Sequence, residues 1–172
     1  MTIKDDVGAE FLRSARSRFE GLKKLGDQSL ARLDEADLAK TLDPEGNSVA
    51  VLVQHVAGNM RSRWTDFLTT DGEKANRNRD GEFEPGPDAT KAQLLGRWEA
   101  GWRCLYDALD ALRPEDLTRT VRIRDEALSA LDAINRQLTH YGQHVGQIVL
   151  LAKHLRWQTW ESLSIPRKGG RR

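Results

Sequence analysis

Six apolar residues, Leu95, Trp98, Trp102, Leu105, Leu109 and Leu112, are spaced three, four, three, four and three positions apart. That spacing is the period of an α-helix with one buried seam, and it is incompatible with the two-residue period of a strand. The same rhythm recurs in Val7, Phe11, Ala15, Phe19 and Leu22. It returns in Val49, Leu52, Val53, Val56, Met60, Trp64 and Phe67, and in Ile134, Leu138, Tyr141, Val145, Ile148 and Ala152. Four long amphipathic helices can hide their stripes only against one another, so the expected fold is all-α, a four-helix bundle. At 172 residues the chain has the size of one domain, spanning 1–172.

Local signals place the boundaries. Thr2 followed by Asp5 resembles a capped start, the first pattern blurs near Gly26, and a short cluster from Asp34 to Leu38 precedes a turn rich in Pro44, Gly46 and Asn47. Ser48 reads as the N-cap of the second long helix, which ends before Thr69. Thr90 with Gln93 forms a capping-box pattern for the third, and Arg113 with Pro114 stops it. The last long helix is expected from about Leu131 to about His154. Before it, Thr120-Val121-Arg122-Ile123 alternates and is β-branched, which predicts a short extended segment pairing with Ala127 and Leu128. Residues 71–88 show no period and hold Gly72, Gly81, Pro85, Gly86 and Pro87, which predicts a long loop between the second and third long helices. A loop of that length inside a domain acts as a lid, a binding element or a disordered tip. The tail, about 166–172, is too rich in Gly and Arg for a packed element and is expected to be flexible.

Charge narrows the partners. Lys plus Arg total 27 against 26 Asp plus Glu, a formal charge of +1, without the basic excess of a nucleic-acid binder. The expectation is no nucleic acid, and the short Lys168, Arg171, Arg172 cluster is read as solvated. No apolar run approaches the length of a membrane span, and the start lacks the order of a signal peptide, so a cytoplasmic protein without a membrane partner is expected. The single cysteine, Cys104, excludes an intrachain disulfide and a Cys-rich zinc motif, and is read as a small apolar residue beside the third helix's seam. Any bound metal must therefore rest on His and carboxylates.

Four histidines are present, and His140 and His144 lie one helical turn apart on one face of the last helix. Such a pair fits two ligands of one ion, and equally a surface pair. His55 sits on the edge of the second helix's stripe, where it would share a pocket with the pair if the two helices are neighbours; as a partly buried, hydrogen-bonded histidine it would occupy the same place. The spacing does not decide between these readings. His154 lies ten residues beyond His144, about 15 Å along the helix axis, and is assigned a surface role.

Residues 47–60, NSVAVLVQHVAGNM, and 140–148, HYGQHVGQI, resemble the DinB/YfiT-like superfamily of metalloenzymes, and within it the DUF1572 group. Segments 63–68 (RWTDFL), 71–74 (DGEK), 77–83 (RNRDGEF) and 160–166 (WESLSIP) support the likeness, which therefore extends over most of 47–166, while the first helix matches in pattern alone. The resemblance implies an up-down-down-up four-helix bundle and a divalent metal, nickel or zinc, held by His55, His140 and His144. It also brings in relatives that use low-molecular-weight thiols as transferases or isomerases, and bundles that pair as homodimers.

Three imidazoles on one ion leave an open coordination position, at which water or a thiol is activated for hydrolysis or thiolate transfer on a small-molecule substrate. Between His140 and His144 stand Tyr141, Gly142 and Gln143, without the glutamate base of the His-Glu-x-x-His pattern, so a zinc-protease reading is disfavoured. Asn59, Gln143 and Gln147 are candidate orienting amides, against a reading as ordinary interhelical or surface polar groups. Gly142 and Gly146 suggest close helix approach or ligand access. Arg77, Arg79, Asp80, Glu82 and Phe83 form a loop patch that would close over the open position and hold an anionic substrate or the carboxylate of a thiol, or else be solvated or touch a second copy. Trp98 and Trp102 are read as core. The leading expectation is a metal-dependent transferase or hydrolase; the alternative is a non-catalytic, dimeric, stress-related module in which the ion only stiffens the bundle.

Overall fold

The computed structural model describes residues 3–84 and 90–165. Thr2, the loop residues 85–88 and the tail 166–172 of the expectations above lie outside the described residues. Within them run the helices α1 (Ile3–Ala31), a single turn α2 (Glu35–Leu38), α3 (Val49–Trp64), α4 (Lys91–Asp110) and α5 (Ala130–Leu155). A two-stranded antiparallel hairpin, β1 (Thr120–Ile123) and β2 (Glu126–Ser129), pairs Val121 with Leu128 and Arg122 with Ala127. The chain is mostly helical, with this small hairpin as its sheet.

The caps follow the local chemistry. The Ser48 hydroxyl accepts the Val51 N–H at the start of α3, and Thr90 and Gln93 bond each other's backbone N–H at the start of α4. The first helix continues past Gly26 to Ala31 because that glycine is a contact point: a Cβ there would stand 2.5 Å from Cζ2 of Trp98. Gly101 plays the same part between α3 and α4, where a Cβ would lie 3.0 Å from the Ala57 Cα.

Helix α3 packs along α4 and α1 along α5, while α3 also meets α5 and α1 meets α4. Named contacts give the directions. Gln54 bonds Arg97 and Thr65 meets Cys104, so α3 and α4 run the same way. Asp27 accepts from Trp98, Lys23 pairs with Glu99 and Arg16 with Asp110, so α1 and α4 run oppositely. Phe19 meets Tyr141, and just beyond the two helices Asp34 pairs with Arg156, so α1 and α5 run the same way.

One aromatic residue from each long helix meets at the centre. Phe19 lies 5.8 Å from Trp64, 6.4 Å from Trp102 and 6.0 Å from Tyr141, and Trp102 lies 6.2 Å from Tyr141. All four are buried. The tilted and edge-on geometries suit ring quadrupoles, adding about 0.5–1.5 kcal/mol per pair to the apolar burial. Two hydrogen bonds fix the register of α3 against α5: the Trp64 indole donates to the Tyr141 hydroxyl at 3.1 Å, and that hydroxyl donates to Asn59 Oδ1 at 3.0 Å. Asn59 is thus committed to Tyr141.

The segment after α3 is built into the fold as far as Glu84. Ser62 and Arg63 donate to the Gly72 carbonyl, Gly72 N–H donates to the Arg122 carbonyl at 2.8 Å, and Asp80–Glu82 forms a 3-10 turn. The hairpin turn holds Arg124 and Asp125 at φ 55° and 63°, as a type I′ turn demands. The Asp71 carboxylate accepts both of their N–H groups at 2.9 Å, offsetting the strain of two non-glycine residues there.

Tyr141→Phe keeps the aromatic volume and strands Asn59 Oδ1 and the Trp64 N–H in the core. The expected loss is about 1–3 kcal/mol of unfolding free energy by urea denaturation followed by far-UV circular dichroism. An unchanged midpoint would mean that these two hydrogen bonds do not hold the helix pair.

Candidate metal centre

The register set by Tyr141 turns its neighbour His140, and His144 one turn later, toward α3, where His55 waits beside them. The ligand nitrogens of His55, His140 and His144 all lie within 4.8 Å of one another. His140 Nε2 stands 3.3 Å from His55 Nε2 and 3.1 Å from His144 Nε2. His55 is buried, and the other two are half-buried at the mouth of the cluster. His154 is exposed and apart from it.

The outward-facing nitrogens explain the orientation. His55 Nδ1 donates to Glu82 Oε2 at 2.9 Å, and Glu82 is itself clamped by Arg77, which donates from Nε at 2.8 Å and from Nη2 at 2.7 Å. Arg77 also pairs with Glu73, which gathers Arg63 and Arg124 as well. The Phe83 ring packs on His55 at 4.8 Å between centroids, and the Arg79 guanidinium lies over the Phe83 ring. On α5, His144 Nδ1 donates to Gln147 Oε1 at 2.9 Å.

A glycine makes the Glu82 contact possible. A Cβ on Gly58 would stand 2.2 Å from Glu82 Oε1, so the carboxylate reaches His55 over a bare stretch of helix. Glu82 was not singled out in sequence as the partner of His55, because it lies 27 residues away in an aperiodic segment. The signal available was Gly58, an interior helical glycine three residues past His55 that costs about 1 kcal/mol relative to Ala unless something packs on it.

The loop patch divides. Glu82 and Phe83 lie against His55, Arg77 is spent on two carboxylates and is not free for an anionic substrate, and Asp80 is exposed. Gln147 serves His144, whereas Asn59 serves Tyr141 and Gln143 is exposed. Close helix approach at Gly142 and Gly146 is not found: a Cβ at either would meet nothing within 4 Å among the described residues. Trp98 and Trp102 are core, as expected. Cys104 is half-buried beside Thr65 in an apolar groove between the end of α3 and α4.

The donor set fits a borderline divalent ion. In tetrahedral coordination with bonds near 2.0–2.1 Å, ligand nitrogens stand about 3.3 Å apart; two of the three separations here, 3.3 and 3.1 Å, have that length. With Glu82 and Gln147 taking the Nδ1 protons, the Nε2 atoms of His55 and His144 both present lone pairs to His140, which has one Nε2 proton at most to share between them. A cation answers that excess of acceptors.

The electrostatics hold His140 and His144 neutral, the form that binds metal. Burial first, and then the neighbouring His144, His55, Arg63 and Arg77, push His140 down to about 3. Burial likewise lowers His144, opposed by its bond to Gln147. Burial works to raise Glu82, but the hydrogen bonds of His55 and Arg77 outweigh it and keep the carboxylate ionised.

For metal-free protein, the unfolded chain binds a proton at His140 below its ordinary pKa of about 6.5, and the folded chain does not until about 3. Stability therefore falls as the pH drops through that interval. Melting temperatures at pH 7.5, 6.5 and 5.5, above the range where Glu82 titrates, are expected to decline more steeply for the wild type than for His140→Gln. Parallel declines would show that His140 takes up its proton as readily in the folded protein.

No curated protein and no solved structure shows a significant match to the chain. The model of one family, described as a protein of unknown function (DUF1572), matches residues 6–169, which take in α3, the loop to Glu84, the hairpin and α5 with all three converging histidines. With the match covering nearly the whole length, the chain belongs to the DUF1572 family.

Proposed function

We propose that His55, His140 and His144 hold one divalent ion, nickel or zinc, and that the protein is a metal-dependent enzyme of the DinB/YfiT-like class acting on a small molecule. The observation that carries this reading is the convergence of three imidazole Nε2 atoms whose outward nitrogens are anchored at two of the three positions. That pattern, ligands oriented by carboxylate and amide partners, is the common construction of protein metal sites. Support for an up-down-down-up four-helix bundle in one domain comes from the parallel runs of α1 with α5 and of α3 with α4.

An ion held by His55, His140 and His144 would lower the pKa of a bound water or thiol toward neutral pH. The chain's own residues contribute the rest. Glu82 and Gln147 fix two of the rings, and Arg77 keeps Glu82 ionised. Phe83 covers one face of His55 and shields it from solvent.

A second reading, a non-catalytic module stiffened by its ion, is favoured by one observation. The carboxylate nearest the cluster, Glu82, is fully engaged by His55 and Arg77 and has no freedom to act as a general base. The two readings part on cobalt-substituted protein, where an open position responds to added azide or thiols by a change in the visible spectrum and a closed one does not.

Metal content by mass spectrometry on untagged protein is expected near one equivalent in the wild type, with loss in His55→Ala, His140→Ala and His144→Ala. Wild-type protein that cannot be loaded with nickel or zinc would overturn the proposal. Glu82→Gln and Gly58→Ala, which weaken or displace the contact to His55, are each expected to lower metal affinity about 10–100-fold in competition with a chromophoric chelator. Unchanged affinity in both would show that Glu82 does not position His55.

A further inference from the structure

Of the three imidazoles, His140 alone has an outward nitrogen without a partner among the described residues. Its Nδ1 is buried and makes no hydrogen bond. Three residues earlier on the same helix, Gln137 is 3% exposed, and its Oε1 is likewise buried and without a partner. A buried donor or acceptor left unpaired costs about 1–3 kcal/mol, so two such groups this close along one helix call for an account.

The sequence supplies a precedent within the same helix. Gln147 lies three residues after His144 and accepts its Nδ1–H at 2.9 Å; Gln137 lies three residues before His140, the mirror spacing. Side chains at that separation have Cβ atoms about 5–6 Å apart, within reach of a glutamine amide. In the metal-free cluster His140 is the ring whose Nε2 faces two lone pairs, so its proton belongs on Nε2 and its Nδ1 has nothing to donate. A cation among the three Nε2 atoms reverses this. The Nε2 proton must leave, and the neutral ring then carries its proton on Nδ1.

We propose that Gln137 is a positioning residue for the metal centre: on metal binding, its Oε1 accepts the Nδ1–H of His140, directly or across one water, and locks the ring in the tautomer that coordinates through Nε2. The inference rests on the metal reading above. It completes a set in which Glu82, Gln147 and Gln137 each hold one ligand ring. It also accounts for a buried glutamine whose carbonyl oxygen has no partner in the metal-free arrangement.

The experiment uses full-length wild type, Gln137→Leu and Gln137→Glu. Each is titrated with zinc against a chromophoric chelator and then examined, zinc-loaded, by long-range 15N–1H imidazole correlation. Expected are an Nδ1-protonated His140 in loaded wild type, a 10–100-fold loss of zinc affinity in Gln137→Leu, and affinity at or above wild type in Gln137→Glu, which keeps the acceptor. The His140 Hδ1 resonance should move upfield in the leucine variant and downfield in the glutamate variant, while those of His55 and His144 stay in place. Melting of the metal-free proteins separates a folding defect from a binding one; should the leucine variant not fold, the glutamate variant's affinity and Hδ1 shift decide. Wild type that binds zinc while both variants match it in affinity and in the His140 resonance would overturn the role of Gln137 and leave the metal centre standing. Wild type that takes up no zinc would overturn both.

Discussion

The pair of hydrogen bonds that ties Tyr141 to Trp64 and Asn59 is the constraint on which the rest of the site depends. Helix α5 turns by about 100° per residue, so the residue before Tyr141 and the one three after it have their directions set once the phenol is locked. His140 and His144 are those residues. Phe19 and Trp102 close around the same ring, so all four long helices contribute to holding α5 in this rotation. A slip of one residue would carry the histidines away from α3 and break both hydrogen bonds of the Tyr141 hydroxyl.

From that lock the polar layer follows outward. His55 takes Glu82, Glu82 takes Arg77, Arg77 takes Glu73, and Glu73 gathers Arg63 and Arg124 from α3 and the hairpin turn. Ionised groups this well buried persist only because every charge meets an opposite one with directional hydrogen bonds. The chain of pairs binds the loop after α3 to the hairpin before α5, so the segment that carries Glu82 is held from both ends. Gly58 provides the clearance at its tip. The loop thereby acts as a brace for the His55 ring, with Arg77 consumed in the brace.

Features governed by neighbouring residues were legible in the sequence. The Ser48 cap, the Thr90–Gln93 box, the seam from Trp98 to Leu109 and the Thr120–Ser129 hairpin each depend on spacings of two to four residues or on one turn. The pairing of His140 with His144 is of the same kind. Their convergence with His55 was left open by spacing, because it depends on which helices are neighbours; the family likeness supplied it. What escaped were contacts between segments distant in sequence. Glu82 stands in a stretch without period, Gly26 looked like the end of a helix because its purpose is Trp98 on another one, and Asn59 looked like a site amide until Tyr141 claimed it. The surroundings of Gly142 and Gly146 depended on what does not pack there, which no local pattern encodes.

In the proposed metal-loaded protein the Tyr141 lock delivers three imidazole nitrogens to one ion. X-ray absorption at the metal edge of nickel- or zinc-loaded protein tests it most directly, since imidazole rings give an outer-shell scattering pattern that can be counted. Three imidazole nitrogens at about 2.0–2.1 Å, with one or more light-atom ligands completing the shell, is the predicted result. A shell with fewer than three imidazoles, or one made of oxygen ligands alone, would contradict it.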